Sequence, residues 1–411
     1  MLLKNTYYVI LSDIFVRLSK LAVIVFFTRY FSVEEYGVYA AALSVVTMSA
    51  IFYDIGLTTK MTKVLVHNWN DYTRKKYILL KFQLIWFMLL ISFSLLFFME
   101  ESVKNPQIYI VVILGVAIGE VVSILSATYR AKSEFNIDYQ LKIKISLSYV
   151  VFTIIGFLIF DTIAAILMSQ LFGVSLILIK YFNFIDFYDL RECFSITKEK
   201  LKILLNSYPL ALYGVFLSFI VSIDTVFVSE IVGYAEGGVY NIATRLLYLI
   251  QLPATALSIV LFSKYSYKDK NLSKDDYREN AKIFFLLILF SIFVIILVIL
   301  TGEYFVLLMF GERYTPSYEI LYFLLPSLIP LYVNNIVINF IIHNSMYMQL
   351  AIITAFSALI SVVLNYYFVT KMGSYGAAVA TNVSQYSIFI LTILLVIYKL
   401  KKSNLAGDVC Q

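Results

Sequence analysis

The chain has 411 residues, of which 61% are apolar and 14% charged, with a formal charge of +6 and a mean hydropathy of +0.86. A soluble domain is about 45–50% apolar and about 25% charged. This chain cannot cover itself with polar surface, which excludes a water-soluble globular protein and points to an integral membrane protein.

A spanning helix needs about 17–25 mostly apolar residues. That criterion predicts about twelve spans, at 7–31, 37–57, 77–99, 108–128, 145–160, 162–180, 204–231, 239–262, 283–301, 317–342, 348–370 and 376–398. The first is too long for a cleavable signal, carries charges inside it and leads to no small-residue cleavage pattern, so it is expected to be retained. The fifth and sixth meet at Asp161 in a tight hairpin. Aromatic residues make up 17% of the chain, and many Tyr and Phe fall near span ends, as interfacial anchoring requires.

Most of the 32 Lys and Arg residues fall on one side of these spans. They include Lys60, Lys63, Arg74, Lys75, Lys76 and Lys81 after span two, and Lys399, Lys401 and Lys402 at the end. The opposite side has only Arg29, Lys104, Arg313 and Lys371. The positive-inside rule therefore assigns both termini to the cytoplasm. The positive charge reads as this topology signal and as affinity for anionic lipid, with no nucleic-acid partner implied. The widest loops, 181–203 and 263–282, are too short for a catalytic domain, and no nucleophile–base or paired-carboxylate motif stands on one side. An enzyme is not expected. Cys193 and Cys410 both fall on the cytoplasmic side, where a disulfide is disfavoured. His67 and His343 are far apart in sequence and no Cys/His cluster exists, so no metal site is expected.

Three basic residues break the topology. Arg17 and Lys20 lie in the first span and Arg245 in the eighth, where a central charge costs about 2.5–3.5 kcal/mol on insertion scales. At about 100° per residue, Asp13, Arg17 and Lys20 share an arc of about 60° on one helix face. Thr6 and Thr28 lie close to the same stripe. This face reads as the lining of a path for an anion. The competing reading is an Asp13–Arg17 pair at i, i+4 with Lys20 snorkelling. Arg245 shares a face with Asn241 and Tyr248, and either contacts the passenger or pairs with Asp224. Glu120, midway along span four with Ser123 on its face, is either a proton carrier or the counter-ion of Arg17 or Lys20. Asp54, at the end of span two, reads as a helix-end or gating residue. Asn334, Asn335, Asn339, Asn365, Asn382 and Gln385 line a sugar path or bond helix to helix. Pro209, Pro253, Pro326 and Pro330 are candidate kinks.

The segment Glu35-Tyr-Gly-Val-Tyr39, between spans one and two, returns as Glu236-Gly-Gly-Val-Tyr240 between spans seven and eight. Ala164-Ala165 and Ala377-Ala378 open spans six and twelve. A recurrence six spans apart predicts two halves of the same orientation. The predicted domains are an N-terminal six-helix lobe at 1–190, a cytoplasmic linker at 191–203, a C-terminal six-helix lobe at 204–398 and a cytoplasmic tail at 399–411. A cleft between the lobes is the expected place for substrate.

The run Arg29-Tyr-Phe-Ser-Val-Glu-Glu-Tyr-Gly-Val-Tyr39 resembles the first outer loop of the O-antigen and polysaccharide flippases. Their superfamily also holds multidrug-extrusion antiporters and lipid II flippases. Asp54-Ile-Gly-Leu57 is similar to that family's Asp-x-Gly-Leu. Tyr208-Pro209 through Asp224, then Gly238-Val-Tyr-Asn-Ile-Ala-Thr-Arg245, and Tyr375-Gly-Ala-Ala378 fit its second half. The family often has Pro-Lys after span eight, where this chain has Ser263-Lys264. The resemblance implies an all-α membrane protein of the multidrug-extrusion/flippase type in a bacterial inner membrane. It implies alternating access that moves an undecaprenyl-pyrophosphate-linked oligosaccharide for O-antigen or surface polysaccharide biosynthesis, in contact with membrane lipids and other assembly proteins. On that reading Arg17, Lys20, Arg245, Asn241 and Tyr248 bind the passenger, and Asp13, Glu120, Asp224 and Asp54 serve coupling or gating. No cofactor is expected beyond a coupling ion, H+ or Na+. The alternative is a proton- or sodium-coupled exporter of small molecules with the same fold. A major-facilitator transporter is disfavoured, because the loop after span two, Thr58 to His67, lacks that group's glycine.

Overall fold

A computed structural model describes residues 2–50, 53–54, 56–67, 69–96, 105–182, 203, 208–255 and 274–408. The predicted linker at 191–203, apart from Ile203, lies outside these residues, as do Cys193, Cys410, the Ser263-Lys264 pair and the side chains of His67 and His343. The described residues form helices and turns with no strand. The physical cause is general: hydrocarbon offers no partner for an N–H or C=O, and a helix satisfies its own backbone.

In chain order the helices are α1 (Leu2–Tyr30), α2 (Val33–Ala50), α3 (Leu57–His67), α4 (Asp71–Leu96), α5 (Pro106–Ala131), α6 (Phe135–Ile159) and α7 (Ile163–Phe182). There follow α8 (Tyr208–Ile231), α9 (Tyr234–Ile250), α10 (Lys274–Phe310), α11 (Pro316–Leu324), α12 (Leu328–His343), α13 (Tyr347–Met372) and α14 (Ser374–Asp408). Among the described residues nine segments are long and apolar enough to cross a bilayer, and they fall on predicted spans three to seven and nine to twelve. Helices α1, α2 and α9 stand at the other three. The charges of α1, the two glutamates that open α2 and the 17-residue length of α9 set them apart from those nine.

The second span departs from the prediction. It is met by two helices, α2 ending at Ala50 and α3 beginning at Leu57, with Gly56 between them at φ +68°. A left-handed φ is open to glycine at no steric cost. The stretch read as a loop after span two is thus a helix. Leu57, Met61 and Leu65, spaced four apart, are buried against α4 and α5, while Lys60 and Lys63 keep to the less buried face. Each such apolar side chain contributes about 1.5–3 kcal/mol on burial. The predicted tail is also helical, since α14 continues to Asp408. The hairpin at Asp161 is as predicted, with α6 closing at Ile159 and α7 opening at Ile163.

The chain divides into two compact units, Met1–Ser218 and Phe219–Gln411, so the division falls within α8. In the first unit α5 is central and packs on α2, α3, α4, α6 and α7, while α1 lies along α6. In the second, α14 packs on α11, α12 and most extensively on α13. The proline kink in this unit is at Pro326, in a 3-10 turn (Leu325–Ser327) that separates α11 from α12. Pro209, by contrast, sits in the first turn of α8, where a proline displaces no intrahelical bond.

The α13–α14 turn is tight enough to specify glycine twice. Gly373 has φ +59°, and a Cβ on Gly376 would overlap the backbone carbonyl of Phe368. We expect Gly376→Ala to cost about 1–3 kcal/mol through overpacking, read as a lower melting temperature of the detergent-solubilised protein. Gly119→Ala, with nothing within 4 Å of the added carbon, should melt like the natural chain.

Candidate substrate and ion sites

The first polar constellation is the face of α1. Asp13 accepts from Lys142 Nζ of α6 at 2.7 Å. The predicted i, i+4 pair with Arg17 is therefore replaced by a contact between helices. Arg17 and Lys20 are both exposed within unit 1, and among the described residues no hydrogen-bonding or ion-pair partner reaches Arg17. Thr28 donates to the Val25 carbonyl of its own helix at 2.9 Å, so its hydroxyl is already engaged.

The second constellation was not foreseen. Lys81, counted with the cytoplasmic basic residues although it falls in the predicted span 77–99, is 2% exposed. Its ammonium pairs with Asp54 and, at 2.6 Å, with Glu120 Oε2. It lies ten residues into α4, about 15 Å from Asp71 at 1.5 Å per residue. Asp54 also accepts from the Thr58 hydroxyl and, at 3.1 Å, from the Thr58 backbone N–H. Its carboxylate thus faces the start of α3, where the helix dipole favours an anion. The Asp-x-Gly-Leu run gains a physical meaning: Asp54 answers the new helix, Gly56 turns the chain, and Leu57 begins its buried face. Glu120 is neither without a partner nor the counter-ion of Arg17 or Lys20. Beside it, Ser123 donates to the Glu120 carbonyl at 2.7 Å and to its Oε2 at 3.2 Å.

The third constellation belongs to unit 2. Asp224 of α8 is 2% exposed. It accepts from Asn365 Nδ2 of α13 at 2.6 Å, from the hydroxyl of Thr381 of α14, and at longer range from the hydroxyls of Tyr240 (3.3 Å) and Ser361 (3.5 Å). The predicted Asp224–Arg245 ion pair is not among the described contacts. Arg245 is half-buried, with Nε 3.5 Å from Asn241 Oδ1 on its own helix, and Tyr248 lies within electrostatic reach of both Arg245 and Asp224. Asn241 is buried within unit 2. Asn365 carries a buried Oδ1 with no hydrogen-bond partner. A carboxylate, an orphaned amide oxygen and two hydroxyl oxygens with no cation among their described partners form a hard-oxygen donor set, which fits an alkali cation or a proton. Among the described residues no cluster of three or more His, Cys, Asp or Glu exists for a transition metal.

The remaining amides are mostly structural. Asn335 and Asn382 donate to the carbonyls of Leu331 and Phe323 at 2.7 Å, and Asn334 accepts from Thr392 at 3.4 Å. The repeated motif opens a helix in both units. Glu35 accepts from the Ser32 N–H and hydroxyl before α2, and Glu236, in the first turn of α9, accepts from the Ser374 hydroxyl at 2.5 Å.

Residues 2–262 match the family described as polysaccharide biosynthesis protein. Among solved structures, the lipid II flippase MurJ in an inward closed conformation aligns with TM-score 0.74 at 17% identity, over 94% of this chain and 86% of that one. An inward-facing multidrug resistance MATE family transporter aligns with TM-score 0.64 at 18% identity, over 97% and 96%. A MOP superfamily transporter from Pyrococcus furiosus gives 0.65 at 18% identity, over 97% and 95%. No curated protein matches the sequence. The fold is accordingly the all-α membrane transporter fold of the multidrug-extrusion and flippase type.

Removing one partner of a buried ion pair leaves an uncompensated charge and costs about 3–5 kcal/mol. Lys81→Met is therefore expected to lower the melting temperature of the solubilised chain sharply. Adding Glu120→Gln should recover part of the loss, because it removes one of the two stranded carboxylates.

Proposed function

We propose, from the premise that the chain belongs to the polysaccharide biosynthesis protein family, that it flips an undecaprenyl-pyrophosphate-linked oligosaccharide across the bacterial inner membrane by alternating access. The observation that carries this reading is Arg17. It is a guanidinium on a membrane-associated helix, exposed within unit 1, with the adjacent Asp13 neutralised by Lys142. A permanent cation held there without an anion of its own suits a passenger that brings one. The planar fork of Arg binds a phosphate through two N–H groups, and Lys20, one turn on, adds a point charge. Unit 2 carries a guanidinium of its own, Arg245, on α9.

The passenger is inert to the transporter chemically, so the protein's task is to lower the cost of carrying a diphosphate through hydrocarbon. No bond is made or broken in the passenger, and no enzymatic step is required. Energy is supplied by a coupling cation, Na+ or H+, bound at Asp224. The Asp224 carboxylate, Asn365 Oδ1 and the hydroxyl oxygens of Thr381 and Ser361 would hold it. Because these groups come from α8, α13 and α14, a bound cation would tie three helices of unit 2 together.

In host cells lacking the chain, lipid-linked repeat units should accumulate and mature surface polysaccharide should fall. The natural chain should reverse both effects, Arg17→Ala should reverse neither, and Arg17→Lys should act in between. Normal lipid-linked intermediates with raised sensitivity to toxic cations would instead favour the small-molecule exporter. The coupling site has its own readout. A ligand at 100 times its Kd stabilises the folded state by about 2.7 kcal/mol, so sodium should raise the melting temperature of the natural chain at fixed ionic strength but not that of Asp224→Asn. A shift on acidification alone would identify the proton as the coupling ion.

A further inference from the structure

Apart from the three constellations, unit 2 holds a cavity of about 600 Å³ between α11 and the α13–α14 turn, lined by Tyr318, Glu319, Tyr322, Phe323, Met372 and Tyr375. We propose that this cavity binds the ammonium group of a zwitterionic phospholipid headgroup.

Its walls are aromatic and set at steep angles to one another. The rings of Phe323 and Tyr375 stand 5.1 Å apart at 67°, and those of Tyr322 and Phe323 stand 6.2 Å apart at 82°. Aromatic rings meeting from several sides are the arrangement that holds an alkylammonium, through the negative faces of their π systems. Contacts behind the rings keep them in place. The Tyr318 hydroxyl donates to the Ile299 carbonyl at 2.9 Å, and Asn382 of α14 donates to the Phe323 carbonyl at 2.7 Å.

Glu319 adds a full negative charge. It is exposed, accepts from the Tyr375 hydroxyl, and has no basic partner among the described residues. Lys371, beside Met372 in sequence, is engaged elsewhere: it donates to the Tyr367 hydroxyl at 2.6 Å, its ammonium 4.0 Å from that ring's centroid. The same chemistry, an ammonium on a tyrosine face, is thus already used once at this end of α13. The turns that meet here carry Glu230, Glu236, Glu303, Glu312 and Glu319 against Arg313 and Lys371. That excess of negative charge attracts a cation.

A sugar ring, another guest of aromatic walls, needs more hydrogen-bonding groups than remain, because the Tyr318 and Tyr375 hydroxyls are already donated to Ile299 and Glu319. An ammonium needs only π faces and the carboxylate. Depth selects a lipid as its source. The cavity stands at one end of the apolar spans Tyr347–Met372 and Ser374–Lys399, the level at which aromatic side chains meet headgroups. Tyr322, Phe323 and Met372 are exposed within unit 2 and offer apolar surface beside the cavity. This site goes beyond the proposed function, since it needs neither Arg17 nor Asp224 and concerns the surrounding bilayer, not the passenger.

The test titrates the detergent-solubilised full-length chain with dihexanoyl phosphatidylcholine or dihexanoyl phosphatidylglycerol, which share tails and phosphate while only the first carries an ammonium. Melting temperature against concentration gives an apparent Kd. The choline lipid should stabilise the natural chain at concentrations where the glycerol lipid does not. Glu319→Gln should weaken the apparent Kd about two- to fivefold through loss of an exposed charge contact. Phe323→Leu should weaken it by about the same factor through loss of a π face. Tyr375→Phe keeps the ring and frees the carboxylate from a competing donor, so binding should hold or tighten. Equal stabilisation by both lipids, an unchanged Kd in both Glu319→Gln and Phe323→Leu, or weaker binding in Tyr375→Phe would overturn the site. Tetramethylammonium chloride that stabilises as well as the choline lipid at equal concentration would overturn the lipid assignment. Arg17→Ala and Asp224→Asn should keep the lipid preference, so its failure leaves the proposed function standing.

Discussion

A charge within a bilayer persists only where another charge or a set of oriented dipoles answers it, because hydrocarbon offers no solvation. The polar architecture of this chain follows from that constraint. Lys142 answers Asp13, Lys81 answers Asp54 and Glu120, Arg130 answers Asp138, and a cage of hydroxyls and one amide answers Asp224. Each answer comes from a different helix, so the same contacts that make the charges tolerable also set which helices are neighbours. Arg17 stands apart: it is exposed within unit 1 and no partner reaches it among the described residues.

The two units solve the problem with different chemistry. In unit 1 Asp13, Asp54, Glu120 and Asp138 are met by full positive charges. In unit 2 Asp224 is met by neutral donors alone, and the Asn365 amide that donates to it carries a buried oxygen without a partner.

Helix interruptions occur where this polar chemistry is concentrated. Gly56 lets the backbone turn between α2 and α3, and Asp54 meets the new N-terminus. Pro326 separates α11 from α12. Free backbone groups at membrane depth are tolerated only where protein groups satisfy them, and the Asp54–Thr58 contacts do this at the first interruption.

Apolar run length was enough to read the helices, because the need to satisfy backbone groups in lipid allows little else. The hairpin at Asp161 and the polar face of α1 were legible for the same reason, since both depend on local spacing. The partners of the charges were not. Lys81 was counted with the cytoplasmic basic residues although the predicted span 77–99 contains it, and nothing in the local sequence shows that Asp54 and Glu120 meet it. The competing pairing of Asp13 with Arg17 rested on the neighbours three and four residues away that a single helix makes visible. Lys142, Asn365 and Thr381 reach their acids across 129, 141 and 157 positions of sequence. By itself the sequence determined that this chain lives in a membrane as a bundle of helices carrying charges the bilayer resists. Only the tertiary structure decided which charge meets which, because that depends on helix rotation and depth, and a difference of a few ångströms there has no trace in composition or periodicity.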